Sequence, residues 1–359
     1  MSALKKSFRG FYLCIFFHVI MFSLHSQNTS LNILTSKNTS LKVILVDGDT
    51  IDNFEQDLNI FHVNLPYSTE KSPLITALPV HAGDVVKIFP ASNVFGTQSE
   101  RTAGILVSTK DKTVTETYKV LFNVLPKMDL FLMIGQSNMA GRGTITSEYL
   151  DTLTNVFLLT PHNSMEPAIN PLKKYSNIRK DLKMQQIGPG YEFSKKIVAE
   201  TGVTIGLIVN ARGGSSIVSW EKGNKDHFYE KTLTRMNAAL KWGSLEAILW
   251  HQGETDIENT ETYMVKLSGM VENLRKDLNS PKAYFLAGEL AYWPNEGKNS
   301  KKFNTIIRTI STQIPYSTWV SAENLTPLIN TSDPHFDAKS QLILGERYAE
   351  KVLKLCYGK

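Results

Sequence analysis

Hydrophobic and polar positions change rhythm near Pro126-Lys127. Before that point, short apolar or alternating runs recur at 41–46, 60–65, 85–89, 104–107 and 117–124. Asp47-Gly48, Ala82-Gly83-Asp84 and Lys110-Asp111-Lys112 separate them as turns. Period-two runs divided by turn residues read as strands, and no helical period of useful length interrupts them. Residues 28–126 are therefore predicted to form a small all-β sandwich. Beyond 126, apolar runs of strand length alternate with longer amphipathic stretches. Strands are predicted at 130–134, 156–159, 203–209, 245–249, 283–287 and 318–321, and helices at 190–200, 228–242, 260–278, 301–313 and 338–355. That alternation predicts an α/β domain at 127–359, a parallel sheet covered on both faces. The segment 160–189 is rich in Pro, Asn and Lys and reads as a long crossing loop that borders a cleft or runs over the surface.

Polar clusters stand where the predicted strands end. Gly135-Gln136-Ser137-Asn138 follows the first buried run, and Asn210-Ala211-Arg212-Gly213-Gly214-Ser215-Ser216 follows the third. Trp250-His251-Gln252-Gly253-Glu254-Thr255-Asp256 follows the fourth, and Asp333-Pro334-His335-Phe336-Asp337 lies in a late loop. The carboxyl edge of a parallel sheet is where sites assemble. A serine just past a buried strand, beside a glycine that permits strained backbone, is where several hydrolase folds expose a nucleophile. The spacing is not the G-x-S-x-G elbow, and a plain Gly-Ser strand end is the alternative.

These four blocks in this order, GQSNM, Gly-Gly-Ser, WHQGE and Asp-x-His-Phe, resemble the SGNH-hydrolase superfamily. The group they are most similar to is the carbohydrate esterases of sialate O-acetylesterase and acetyl-xylan esterase type. The resemblance covers 130–355, about two thirds of the chain. It implies a three-layer α/β sandwich and a Ser-His-acid hydrolysis of an O-acetylated carbohydrate through an acetyl-enzyme. Ser137 stands at the position of the nucleophile and His335 at that of the base, with His251 more simply a structural histidine beside Trp250. The family pattern places the acid three residues before the base, where this chain has Ser332. Two carboxylates qualify instead, Asp333 and Glu254. Oxyanion donors are the Ser137 amide, the Gly214 amide and the Gln252 side chain. Gln136, Asn138 and Arg212 hold the loop or touch substrate, and Asp337 caps the last helix. A non-catalytic glycan-binding protein and an SGNH enzyme for other acyl esters share the fold and are the rival readings. More loosely, residues 28–126 resemble Ig- or cadherin-like modules attached to polysaccharide enzymes, with a spacer role as the simpler alternative.

Composition narrows the partners. With 39 Lys and Arg against 34 Asp and Glu, the net charge is +5, but the cations are dispersed without interleaved aromatics, which argues against nucleic acid. No metal-binding His spacing and no phosphate loop occur, so no cofactor or metal is expected. Lys5, Lys6 and Arg9 precede an apolar run at 11–24, too short to span a membrane easily, so 1–26 reads as a signal peptide and the mature protein as secreted or periplasmic. After cleavage only Cys356 would remain, which excludes an internal disulfide.

Overall fold

The computed structural model describes residues 39–359 apart from Asn53, so the expected signal peptide lies outside the described residues. The chain begins with seven strands: β1 (Leu41–Val46), β2 (Asp49–Thr50), β3 (Ile60–Leu65), β4 (Ile75–Pro79), β5 (Val85–Phe89), β6 (Thr102–Ser108) and β7 (Thr115–Val124). They form two sheets, ordered β2-β1-β4 and β3-β7-β6-β5. Leu41, Ile44 and Ala77 of the first sheet share a core with Phe61, Ile105, Val120 and Phe122 of the second. The β3–β7 pair is parallel and the other pairs are antiparallel. Strand β4 has little strand propensity, with an alanine inside and a proline at its end. Pairing with β1 recruits it.

The second part is built on β8 (Met128–Gly135), β9 (Val156–Leu159), β10 (Met165–Pro167), β11 (Ile205–Ala211), β12 (Gly243–His251), β13 (Tyr284–Gly288) and β14 (Ser317–Val320). Their order is β10-β9-β11-β8-β12-β13-β14, and only β10 runs antiparallel. The helices are α1 (Ser137–Ala140), α2 (Gly190–Thr201), α3 (Phe228–Ala239), α4 (Thr260–Asp277), α5 (Lys298–Arg308), α6 (Ile310–Gln313) and α7 (Ala338–Cys356). In β8, Leu130, Leu132 and Ile134 pack with residues of α3, α4 and α5, while Phe131 and Met133 pack with α2 and α7. A strand buried on both faces reads as a continuous apolar run, which is why β8 was legible. The helix expected at 301–313 is instead two, broken at Thr309, whose hydroxyl bonds back to the Ile306 carbonyl at 2.8 Å.

The segment 160–189 is tied to the N-terminal sheets. Asp52 accepts from Thr160 at 2.9 Å and contacts His162 Nδ1 at 2.8 Å, and Asn64 donates to the Met165 carbonyl at 2.8 Å. Among the described residues no helix is long and apolar enough to cross a membrane.

From β8 the chain first builds β9 and β11 on one side, then β12 and β13 on the other. The carboxyl end of β8 is therefore the switch point of the sheet, where crevices open in such folds. Gly135 sits there at φ +133°, and a Cβ on it would lie 2.2 Å from the His251 carbonyl oxygen. Gly135→Ala is expected to lower the midpoint of urea unfolding, with about 1–3 kcal/mol from backbone strain alone and the clash in addition.

Candidate active site

Ser137 is the first residue of the one-turn helix α1, immediately after the strained end of β8. The Gln136 amide donates to the His251 carbonyl at 2.8 Å, which locks the turn against β12. As the first helical residue, Ser137 has an N–H without an intrahelical acceptor. Its Oγ lies 3.0 Å from His335 Nε2, across 198 residues of sequence.

His335 Nδ1 lies 2.7 Å from Asp333 Oδ1. The same oxygen accepts the backbone N–H of His335 at 3.0 Å, an Asx-type turn that folds the carboxylate back onto the ring two residues later. This local turn is what lets a two-residue spacing place a carboxylate against the imidazole. A carboxylate at Nδ1 favours the tautomer protonated there, in which Nε2 can accept from the Ser137 hydroxyl. The His335 side chain is 28% exposed, so water reaches the base.

The loop bearing the base is held from several sides. Trp293 Nε1 donates to the Asp333 carbonyl at 2.7 Å, and the Leu328 amide donates to the His335 carbonyl at 2.7 Å. Phe336 is fully buried, edge-on to His251 and Trp293. Asp337 caps α7 by accepting from the Ser340 amide at 2.7 Å, as its place in the sequence implied.

The other expected residues divide by position. Glu254 does not contact His335. Its Oε1 accepts from Asn138 Nδ2 at 2.6 Å and lies 3.9 Å from His251 Nε2. Asn138, fully buried, also donates to the Pro334 carbonyl at 3.0 Å and accepts from the Phe336 amide at 3.2 Å. It thus clamps the His335 loop to the Ser137 turn rather than facing a cleft. Gln252 is fully buried, and its Nε2 donates to Asp256 at 2.5 Å, to the Ser215 carbonyl at 2.9 Å and to Gln136 at 3.1 Å. With both amide protons engaged, it is not an available oxyanion donor, and Gln136 is its buried partner rather than a substrate contact. The Arg212 guanidinium donates to the Ile178 carbonyl at 3.2 Å and lies over the Phe228 ring.

Gly213-Gly214 flanks Ser137. A Cβ on Gly213 would stand 3.7 Å from the Ser137 Cβ, and Gly214 is exposed at φ +72°. The same Gly213 Cβ would meet Arg142 Nη2 at 2.6 Å, so the Arg142 guanidinium borders the site. Nothing in the sequence neighbours of Arg142 signals this placement. Among the described residues no group of three His, Cys, Asp or Glu side chains is placed to hold a metal ion.

Burial separates the protonation states of the groups behind the Ser137 turn. Desolvation raises Glu254 to about 7 and lowers His251 to about 3. Glu254 therefore carries a proton through the mildly acidic range, while His251 stays neutral.

A family model described as carbohydrate esterase, sialic acid-specific acetylesterase, matches residues 127–354. A probable carbohydrate esterase of Arabidopsis thaliana is 29% identical over 180 residues, which is 44% of this chain. The chain spans 66% of the length of that curated relative. The solved structure of the Arabidopsis protein is 26% identical, with a TM-score of 0.56 over 64% of this chain and 99% of that one. Two structures are similar in fold alone. NanS is 15% identical, with a TM-score of 0.51 over 65% of this chain and 98% of its own. A carbohydrate acetylesterase from Xanthomonas citri is 17% identical, with a TM-score of 0.50 over 90% of this chain and 69% of its own.

The clamp generates two expectations. Asn138→Ala should lower kcat by about 10²-fold through misplacement of the base, while circular dichroism reports a retained fold. An acid whose folded pKa is raised stabilises the fold at low pH, and that stability is lost as pH rises from 4.5 through about 7. Across that window, the stability of Glu254→Gln relative to wild type should improve by about 3 kcal/mol, read by denaturant titration at each pH. A pH-independent difference would contradict the burial of Glu254.

Proposed function

The chain belongs to the sialic acid-specific acetylesterase family of carbohydrate esterases, and from that premise we propose that it removes O-acetyl groups from a glycan by serine catalysis. The observation that carries the reading is the continuous line from Asp333 Oδ1 through His335 to Ser137 Oγ, at 2.7 and 3.0 Å. A hydroxyl is a weak nucleophile at its free pKa and needs a base within hydrogen-bond reach, with the base itself oriented.

Ser137 Oγ attacks the acetyl carbonyl carbon while His335 Nε2 takes its proton. Asp333 holds the ring in the correct tautomer and stabilises the imidazolium. The carbonyl oxygen becomes an oxyanion, met by the N–H groups of Ser137 and Gly214. Collapse breaks the bond to the sugar oxygen, which leaves with the proton from His335. The acetyl-enzyme is then attacked by a water deprotonated by His335, and acetate departs from Ser137. Asp333 rather than Glu254 serves as the acid in this scheme, because only Asp333 reaches the imidazole.

The sugar is an O-acetylated sialic acid or an acetylated xylan, and the polar clusters around the site favour a glycan over a long acyl chain. Export through the N-terminal apolar run, to the periplasm or the exterior, fits a glycan substrate. The sheets of residues 39–126 serve as a module distinct from the esterase domain at 127–359. They brace the 160–189 segment through Asp52 and Asn64.

The test is acetate release from both substrates. Ser137→Ala should abolish release with the fold intact. Asp333→Asn should lower kcat by up to ~10⁴-fold, with a far smaller loss in Glu254→Gln. The reverse ranking of the two acids would overturn the assignment, and an unimpaired Ser137→Ala would overturn the mechanism.

A further inference from the structure

Gly213 and Gly214 stand beside Ser137, and their turn is pinned at both ends. At the near end the Arg212 amide donates to the Gly135 carbonyl at 2.8 Å, and the Ser215 amide closes the turn on the Arg212 carbonyl at 3.2 Å. Gly214 takes φ +72° at the third position of that turn, a conformation that favours glycine. At the far end the Ser215 carbonyl accepts from Gln252 Nε2 at 2.9 Å, and the Ile217 amide donates to Asp256 Oδ2 at 2.8 Å. Gln252 Nε2 donates to that same Asp256 oxygen at 2.5 Å. It also reaches Gln136, the residue before Ser137, at 3.1 Å. One buried carboxamide thus ties the turn that carries Gly214 to the turn that carries Ser137.

Asp256 fixes which way that carboxamide faces. A carboxylate and a carbonyl only accept, so the NH2 end of Gln252 lies toward Asp256 and Ser215. Tyr263 holds the other end by donating to Gln252 Oε1 at 2.9 Å. Asp256 sits in the short helical turn Glu254–Asp256, and its amide donates to the Gly253 carbonyl at 2.9 Å, which folds the carboxylate back onto Gln252, four residues earlier. Asp256 is 5% exposed. A buried acid adds little net stability over an apolar residue of similar size, so burial alone does not account for one here. What the carboxylate supplies is orientation, through charge-assisted bonds that are shorter and stronger than neutral ones. Those bonds go to Gln252 and Ile217, not to Ser137 or His335.

We propose that Asp256 is a positioning residue for the oxyanion donors, acting through Gln252 and the Ile217 amide to hold the Gly214 turn at a fixed gap from the Ser137 turn. The inference rests on the esterase reading, in which the Ser137 and Gly214 amides meet the oxyanion. Both half-reactions pass through that oxyanion, so a loosened gap slows acylation and deacylation together. Asp256→Ala should therefore lower kcat on 4-nitrophenyl acetate by about 10²-fold, the cost of a small misplacement, with KM little changed. Asp256→Asn keeps a carbonyl oxygen for both donors and should recover most of the rate.

A purely structural role predicts no change in affinity for a tetrahedral anion. Phenylboronic acid supplies one: Ser137 Oγ bonds to boron, the hydroxyl proton passes to His335, and the anionic adduct mimics the transition state. Its dissociation constant, read by calorimetry on folded protein, should rise in Asp256→Ala by about the factor lost from kcat and return toward wild type in Asp256→Asn. If the alanine variant does not fold, Asp256→Val, which leaves no cavity, takes its place. Unchanged boronate affinity in that variant, or an asparagine variant as impaired as the alanine one, overturns the inference. Wild type that hydrolyses no acetyl ester overturns the esterase reading instead, and the boronate affinities still decide the inference.

Discussion

One buried amide holds the site together. Ser137 and His335 are 198 residues apart in sequence, and Asn138 bonds to both sides of His335, at the Pro334 carbonyl and the Phe336 amide. Its remaining donor capacity goes to Glu254 at the end of β12. Three chain segments thus converge on a residue that is fully shielded from solvent. A hydrogen bond in such surroundings is stronger than at the surface, and the groups left behind by its loss are costly. The clamp acts together with the Trp293 and Leu328 hydrogen bonds to hold His335 against Ser137.

The sheet gives the clamp its setting. Strand β8 lies at the centre with both faces packed, so its carboxyl end has little freedom to move. The glycine at that end allows the chain to turn against the β12 backbone, where a Cβ would clash. Glu254 and His251 then form a dry polar layer behind the turn, one raised and one lowered in pKa by the same burial. On the opposite flank, Asp52 ties the 160–189 segment to the N-terminal part by accepting from Thr160.

The elements that carry the site were legible because their burial is written in the chain. Doubly buried β8 reads as an unbroken apolar run, and α7 shows its helical period after the capping Asp337. The blocks around Ser137 and His335, which the fold brings to 3.0 Å, stand out in the sequence because polar residues at strand ends and late loops break such runs. What the sequence hides is orientation. Asn138 and Gln252 sit beside the nucleophile in the motifs, yet both side chains turn inward to buried partners. Asp333 and Glu254 both qualify as the acid in the sequence, and the turn through the His335 amide brings the Asp333 carboxylate against the imidazole. Lys173 gave no signal at all, since a lysine in a polar loop reads as solvated and its burial is set wholly by tertiary packing.

The most direct test of the account is to trap the acyl-enzyme. Wild-type protein is mixed with 4-nitrophenyl acetate, quenched in acid, digested and read by mass spectrometry. The account predicts an acetyl group on the peptide containing Ser137, and on that residue when the peptide is fragmented. Acetate release with no acetyl on Ser137, or the adduct on another side chain, would contradict the assignment of Ser137 as nucleophile.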